Sequence, residues 1–394
     1  MKSDITKLLD RDNYENMDQK PVVPPIYQNT LFTFDNWEAI DKAYDDPTNN
    51  CIYTRGKNPS NDIVERKLAE LAHGEKAKLF SSGMSAISAA LFHYAKPNGH
   101  IIAIKNIYGP ANNFIQHYLV DKMGMSVTFI TGNDLSEFED SIKEDTCIIY
   151  LESPSSVVFS LQDLEGVSKL AKKSGIKTVV DNTWATPLYQ KPLDFGVDME
   201  VHSCSKYLGG HSDIVAGIAI GSEADIDQIY NHEHAFIGGK MSPFESWLLL
   251  RSLRTLHLRM NQHQKSGMKV ANFLENHPEV SKVYYPGLDS FDQADLAKKQ
   301  MTGFTSLMSF ELVTQDLNKI KKFVNSLKVF QIGVSWGGFE SLVYVPAISY
   351  LKEMSPETFK KTGLSLSNIR ISVGLEDSED IISDLNNALE IIRE

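Results

Sequence analysis

Between residues 78 and 220 the chain repeats one pattern: a short, unbroken apolar run followed by an amphipathic stretch at helical spacing. The runs fall at 78–80, 100–104, 127–130, 146–151, 178–181, 199–202 and 215–220, and the helical stretches include 87–95, 112–123 and 164–173. Strands that are apolar on both faces must be covered on both faces, and a helix after each strand supplies the cover. The pattern therefore predicts an α/β fold with a mostly parallel sheet between helical layers. At 394 residues and 42% hydrophobic content, the chain has enough material for this layer and a smaller second one.

The flanks behave differently. Residues 1–60 show little periodicity, and Lys20-Pro-Val-Val-Pro-Pro-Ile26 is an extended piece that cannot be helical. This reads as an N-terminal arm, which needs another surface to lie on and so hints at an oligomer. Asp62 is expected to cap a helix carrying Val64, Leu68, Leu71 and Ala72 and ending at Gly74. The large layer is assigned to 61–255. From 244 to 276 no proline intervenes and Gly267 is the one weak point, which predicts a single long bridging helix. Beyond it, 256–394 reads as a smaller α+β unit, with strands near 280–285, 305–312 and 367–373 and a closing helix over 377–393.

A net charge of −12 argues against nucleic acid or an anionic membrane as the main partner. The sequence has no apolar run long enough to span a bilayer and no apolar signal core near Met1, so the cytoplasm is the expected compartment. Cys51, Cys147 and Cys204 are few and lack CxxC spacing, as in a reducing compartment. His232-Glu-His234 has no third ligand at a sensible spacing and reads as helix surface, so no metal is expected.

The chemistry centres on Val201-His-Ser-Cys-Ser-Lys-Tyr-Leu-Gly-Gly-His211. Lys206 follows a buried strand end, where an amine is kept from bulk water and its pKa falls. Such an amine can form a Schiff base with an aldehyde, and Ser203 and Ser205 can bond a phosphate. Alone, Lys206 would be read as a surface lysine in a loop. Asp181 changes the odds: it ends the strand before Asn182-Thr-Trp184, and a carboxylate there can pair with a protonated pyridine nitrogen. Alone, Asp181 would be a turn cap. Together they describe a pocket for pyridoxal 5′-phosphate (PLP). Gly83 and Met84, in Ser81-Ser-Gly-Met-Ser-Ala86, open a helix whose first N–H groups form an anion site, although an ordinary serine cap explains them equally. Tyr108 can stack on a flat ring or move protons, or simply pack. Tyr53 and Arg55 share one side of an extended segment and suit a phosphate, with a surface arginine as the bland alternative. Arg370, between Ile369 and Ile371, needs a partner, either a substrate α-carboxylate or an internal ion pair.

These motifs resemble the Cys/Met-metabolism branch of PLP enzymes, the cystathionine lyase and synthase family. The resemblance rests on Tyr53-Thr-Arg55 with Asn58-Pro59, Ser82-Gly-Met84, Tyr108-Gly109, Glu152-Ser-Pro154, Asp181-Asn-Thr-Trp184, Ser203-Cys-Ser-Lys-Tyr207, Gly210-His-Ser-Asp213 and Arg370-Ile-Ser-Val-Gly-Leu-Glu-Asp377. It implies the aminotransferase-like fold (fold type I) with arm, large PLP domain and small C-terminal domain. It also implies a homotetramer of two active dimers, in which Tyr53 and Arg55 reach the neighbouring subunit's phosphate. Ser335-Trp-Gly-Gly-Phe-Glu-Ser341 and Glu152-Ser-Pro-Ser-Ser156 look most like the bacterial cystathionine β-lyases, where Trp336 replaces a leucine of the γ-enzymes and Ser156 an asparagine. Two departures stand out. Gly56-Lys57 replaces a second arginine or a leucine then glycine, and Pro110 replaces a cysteine found in several γ-enzymes.

The activity so implied is β-elimination of cystathionine, or a related sulfur amino acid, to pyruvate, ammonia and a thiol, as in methionine biosynthesis. Lys206 would carry the cofactor and take the Cα proton, with Arg370, Ser335 and Trp336 holding the substrate and Lys206 or Tyr108 returning a proton to the thiolate. The rivals are γ-elimination or γ-replacement on the same fold, and a PLP-binding protein without turnover.

Overall fold

The computed structural model describes residues 2–10, 20–353 and 364–393; positions 11–19 of the expected arm lie outside them. The predicted α/β layer is present. Its strands are β1 (Lys76–Phe80), β2 (His100–Ile104), β3 (Ser126–Ile130), β4 (Thr146–Glu152), β5 (Lys177–Asp181), β6 (Met199–Ser203) and β7 (Gly217–Gly221). They form one sheet in the order β1-β7-β6-β5-β4-β2-β3. β3, β2, β4, β5 and β6 are parallel, and β7 runs against both of its neighbours. The central strands are buried along nearly their whole length, as unbroken Ile/Val runs require.

The second sheet is smaller and mixed. Its strands are β8 (Val280–Tyr284), β9 (Leu307–Leu312), β10 (Gln331–Ile332), β11 (Leu342–Tyr344) and β12 (Asn368–Ser372), in the order β10-β11-β12-β9-β8. The helix Ser378–Arg393 covers it with Ile381, Leu385, Leu389 and Ile392. No helix among the described residues is long and apolar enough to cross a membrane.

Four expectations are corrected. The single helix over 244–276 is two, Pro243–Leu253 and Leu256–Glu275. At the break the Ser252 carbonyl accepts three donors, Thr255 N–H (3.1 Å), Thr255 Oγ1 (3.2 Å) and Arg259 Nη2 (3.0 Å), which takes it out of the regular ladder. The cap of the helix Pro59–Ala72 is Asn58, whose side chain accepts from Ser60 N–H, with Pro59 in the first turn; Asp62 sits within the helix and pairs with Lys57 and Arg66. The arm contains helices, Asp4–Leu9 and Trp37–Asp45, and Leu8 is buried in the core beside Leu68. Finally, His234 is interior rather than on a helix surface, edge-on to Phe80 and stacked on Tyr230.

Candidate active site

β4, β5 and β6 are parallel neighbours, so Glu152, Asp181 and Ser203 emerge at one edge of the sheet. Ligands gather at such carboxyl ends. Lys206 lies in the turn that follows β6. Its Nζ donates to Ser335 Oγ at 2.9 Å and stands 5.4 Å from the centre of the Trp336 ring. Burial and the nearby Arg370 cation push the amine down to about 8, with Asp181 acting the other way. Ser335 thus meets Lys206 through its hydroxyl.

The hydrogen bonds to the Asp181 carboxylate all land on Oδ1: Thr183 N–H donates at 3.0 Å, and Thr183 Oγ1 donates as well. Among the described residues Oδ2 accepts none, so an oxygen is available to an outside N–H. Burial raises the Asp181 pKa, opposed first by the Thr183 bonds and then by His202 and Lys206.

The start of a helix adjoins this pair. Ser82 caps the helix Gly83–Tyr94, accepting from Ser85 N–H, and the first N–H groups of a helix have no partner within it. A Cβ on Gly83 would stand 2.8 Å from Ser203 Cβ and 3.0 Å from its Oγ. One on Gly217 would stand 2.2 Å from Ser82 O. Only glycine allows the helix start to lie this close to the ends of β6 and β7. Met84 begins the helix beside Gly83, as expected. Ser205 Oγ accepts from Ala216 N–H at 3.0 Å, tying the Lys206 loop to the chain entering β7.

Glu152, legible in the sequence only as part of the Glu152-Ser-Pro154 motif, is a further residue of the cluster. Its Oε2 accepts from Tyr108 N–H and its Oε1 from Ser156 Oγ, each at 2.6 Å, so it clamps two loops. Burial first and then Asp181 push it up to about 8. Tyr108 is half-exposed at the start of the helix Gly109–Phe114, and burial, Asp181 and Glu152 raise its hydroxyl pKa.

The second sheet supplies the far wall. Arg370 on β12 donates through Nη2 to Val334 O (2.8 Å) and Ser335 O (3.3 Å), and its guanidinium lies 5.0 Å from the centre of the Tyr344 ring. Gly337 has φ +78°, and a Cβ there would stand 2.8 Å from Tyr207 N, so this loop is pressed onto the Lys206 turn. The readable signal was the Gly-Gly pair after Trp336.

Tyr53 and Arg55 are not brought to this cluster. Arg55 Nη1 donates to Ala235 O at 2.9 Å and its guanidinium lies 5.8 Å from the centre of the Tyr53 ring, both side chains exposed. Lys57 is bound to Asp62 at 2.6 Å.

The residues present fit PLP. Lys206 offers a weakened base for the aldehyde, Asp181 Oδ2 an acceptor for the ring nitrogen, and the Gly83 helix start with Ser203 a cradle for phosphate. A family profile described as Cys/Met metabolism PLP-dependent enzyme matches residues 5–390. L-methionine gamma-lyase of Treponema denticola is 39% identical over 93% of this chain and 92% of its own length. Cystathionine beta-lyase of Lactococcus lactis subsp. cremoris is 37% identical over 93% of each chain. The structure of metB from Corynebacterium glutamicum superposes with a TM-score of 0.91 at 31% identity, covering 100% of this chain and 99% of that one. A putative O-acetylhomoserine (thiol)-lyase from Campylobacter jejuni, holding a pyridoxyl-lysine monophosphate, superposes at 0.92 with 29% identity, covering 99% and 100%. A pocket built for PLP, on a chain matched by that profile over nearly its whole length, is thus accounted for: the chain belongs to the Cys/Met metabolism PLP-dependent enzymes, as a carbon–sulfur lyase with pyridoxal 5′-phosphate as its cofactor.

Proposed function

We propose that this lyase eliminates at Cβ, converting cystathionine or a related sulfur amino acid to pyruvate, ammonia and a thiol. The observation that carries this reading is the seat of Lys206, held by Ser335 Oγ at 2.9 Å and flanked by the Trp336 ring. β-Elimination takes a proton at Cα alone, whereas γ-elimination needs a base at Cβ as well. The Ser335 hydroxyl and the Trp336 indole orient the amine for the first task. Arg370 holds the substrate α-carboxylate and so sets where Cα stands. Tyr108 or Lys206 returns a proton to the departing sulfur. The cofactor supplies an electron sink for the charge left at Cα.

The second reading is γ-elimination. It is favoured by the methionine gamma-lyases at 36–40% identity among the relatives and by Lys57, whose bond to Asp62 makes it a poor grip for a distant amino-acid head. A product assay on PLP-loaded protein tests both. Pyruvate with homocysteine from cystathionine supports the Cβ reading. 2-Oxobutyrate with cysteine, or methanethiol from methionine, overturns it.

Two further parts belong to the proposal. The chain divides into an arm (1–60), a PLP domain (61–255) and a small domain (256–394), a reading supported by the helix break at Arg254 and Thr255. Tyr53 and Arg55 serve the phosphate of a neighbouring copy in a homotetramer, a reading supported by their exposure and their separation from Lys206 within one chain.

A further inference from the structure

Arg259 lies on the helix Leu256–Glu275, 6% exposed, in no part of the site described above. A buried guanidinium ordinarily has a carboxylate partner. This one has none among the described residues, and burial alone pushes it down to about 10. Its donors go to the backbone and a hydroxyl. Nη1 donates to Tyr207 O at 2.6 Å, Nη2 to Ser252 O at 3.0 Å and Leu208 O at 3.4 Å, and Nε to Thr255 Oγ1 at 3.2 Å.

Two of those acceptors belong to the turn that carries Lys206. The turn is closed by Lys206 N–H to Ser203 O, Gly209 N–H to Cys204 O and Gly210 N–H to Lys206 O. The carbonyls of Tyr207 and Leu208 accept none of these bonds. Arg259 meets them with a planar fork that a lysine lacks. Gly210 completes the seat: it has φ +65°, and a Cβ there would stand 2.0 Å from Arg259 Nη1. The other half of the fork holds Ser252 and Thr255, where the two helices part.

We propose that Arg259 is a positioning residue for Lys206, clamping the carbonyl end of the lysine's turn to the helix that joins the two sheets. The proposal rests on Lys206 being the cofactor-bearing lysine.

Arg259→Lys keeps the charge and loses the fork; Gly210→Ala keeps the arginine and takes its seat. Both are measured as folded protein, by unfolding midpoint, for cofactor dissociation constant and for kcat and KM at saturating PLP. A displacement of about 1 Å at a reacting group costs on the order of a hundredfold. The expected result is therefore a fall in kcat of about tenfold or more in both variants, with KM little changed and a weaker hold on PLP. Thr255→Val, which removes the hydroxyl that accepts from Nε and donates to Ser252 O, is the milder variant and should show a smaller fall of the same kind. A lowered unfolding midpoint with kcat and cofactor affinity unchanged would leave Arg259 merely structural and overturn the proposal. Lys206→Ala is the control. If it keeps the absorbance of linked cofactor, the lysine assignment fails; if it loses that absorbance while the Arg259 and Gly210 variants match the parent, only the clamp fails.

Discussion

Glu152 and Asp181 are register partners on adjacent parallel strands, two carboxylates side by side at the floor of the site. Two like charges so close, away from water, cannot both ionise cheaply, and each raises the other's cost. Glu152 is pushed up to about 8, and Asp181 is also raised.

The first prediction concerns stability without cofactor. Burial and Asp181 push the Glu152 carboxyl up to about 8 in the fold, from an ordinary 4.5. Between those values the folded chain holds a proton the unfolded chain has released, so stability falls as pH rises through the window and is flat above it. Glu152→Gln should flatten this slope, leaving the part that Asp181 contributes. Unfolding midpoints of cofactor-stripped protein across the window check it; an unchanged slope counts against the raised carboxyl.

Recombination with PLP should have an alkaline-rising limb. Only the neutral amine adds to an aldehyde, and Lys206 is pushed down to about 8, so the rate should climb toward that pH and level off above it. Arg370 is among the causes, so Arg370→Ala should move the limb upward. Stopped-flow absorbance against pH measures both, and a limb that stays put removes Arg370 from the lysine's surroundings.

Arg370→Ala should also cost substrate binding. Losing a hydrogen bond to a charged group costs about 1.5–3 kcal/mol, roughly tenfold or more in kcat/KM. Steady-state kinetics check it, and a loss below about threefold would mean the α-carboxylate is held elsewhere.

Gly83→Ala should weaken PLP binding more than folding. The new Cβ meets Ser203 Cβ and Cα, so the helix start must shift and the unfolding midpoint should drop. The added Cβ, 2.8 Å from Ser203 Cβ, fills the cradle. PLP affinity should fall about tenfold or more, the loss of one or two charge-assisted hydrogen bonds. Fluorescence titration of the stripped protein reads it.

Mixing two inactive variants tests the arm. Arg55→Ala and Lys206→Ala spoil different copies' contributions if Arg55 serves a neighbour. Dissociated and reassociated together, they should regain activity that neither shows alone. No recovery, with mixed oligomers demonstrated, would place Arg55 outside the site.

The parallel layer was legible because burial on both faces writes itself as unbroken apolar runs, and Lys206 and Asp181 were legible because strand ends are where those runs stop. The helix break at Thr255 was not, because no proline or glycine marks it and the cause is three donors converging on the Ser252 carbonyl. Glu152 was hidden for a similar reason. Its partners, Tyr108 and Ser156, are set by loop geometry, which leaves no periodic trace. The hydroxyl contact of Ser335 with Lys206 joins residues 129 positions apart and depends on how the second sheet's loop lies against the first.

The antiparallel return of β7 has a consequence for local motion. The loop carrying Lys206 leaves the sheet at Ser203 and re-enters at Gly217, and those two residues are paired partners. Both ends of the loop are therefore stitched into the same two buried strands, with Ser205 and Ala216 adding a further stitch. To let the lysine wander, the sheet's interior ladder must open. Amide protons around Lys206 should accordingly exchange more slowly than those of surface loops, although the segment itself is a turn.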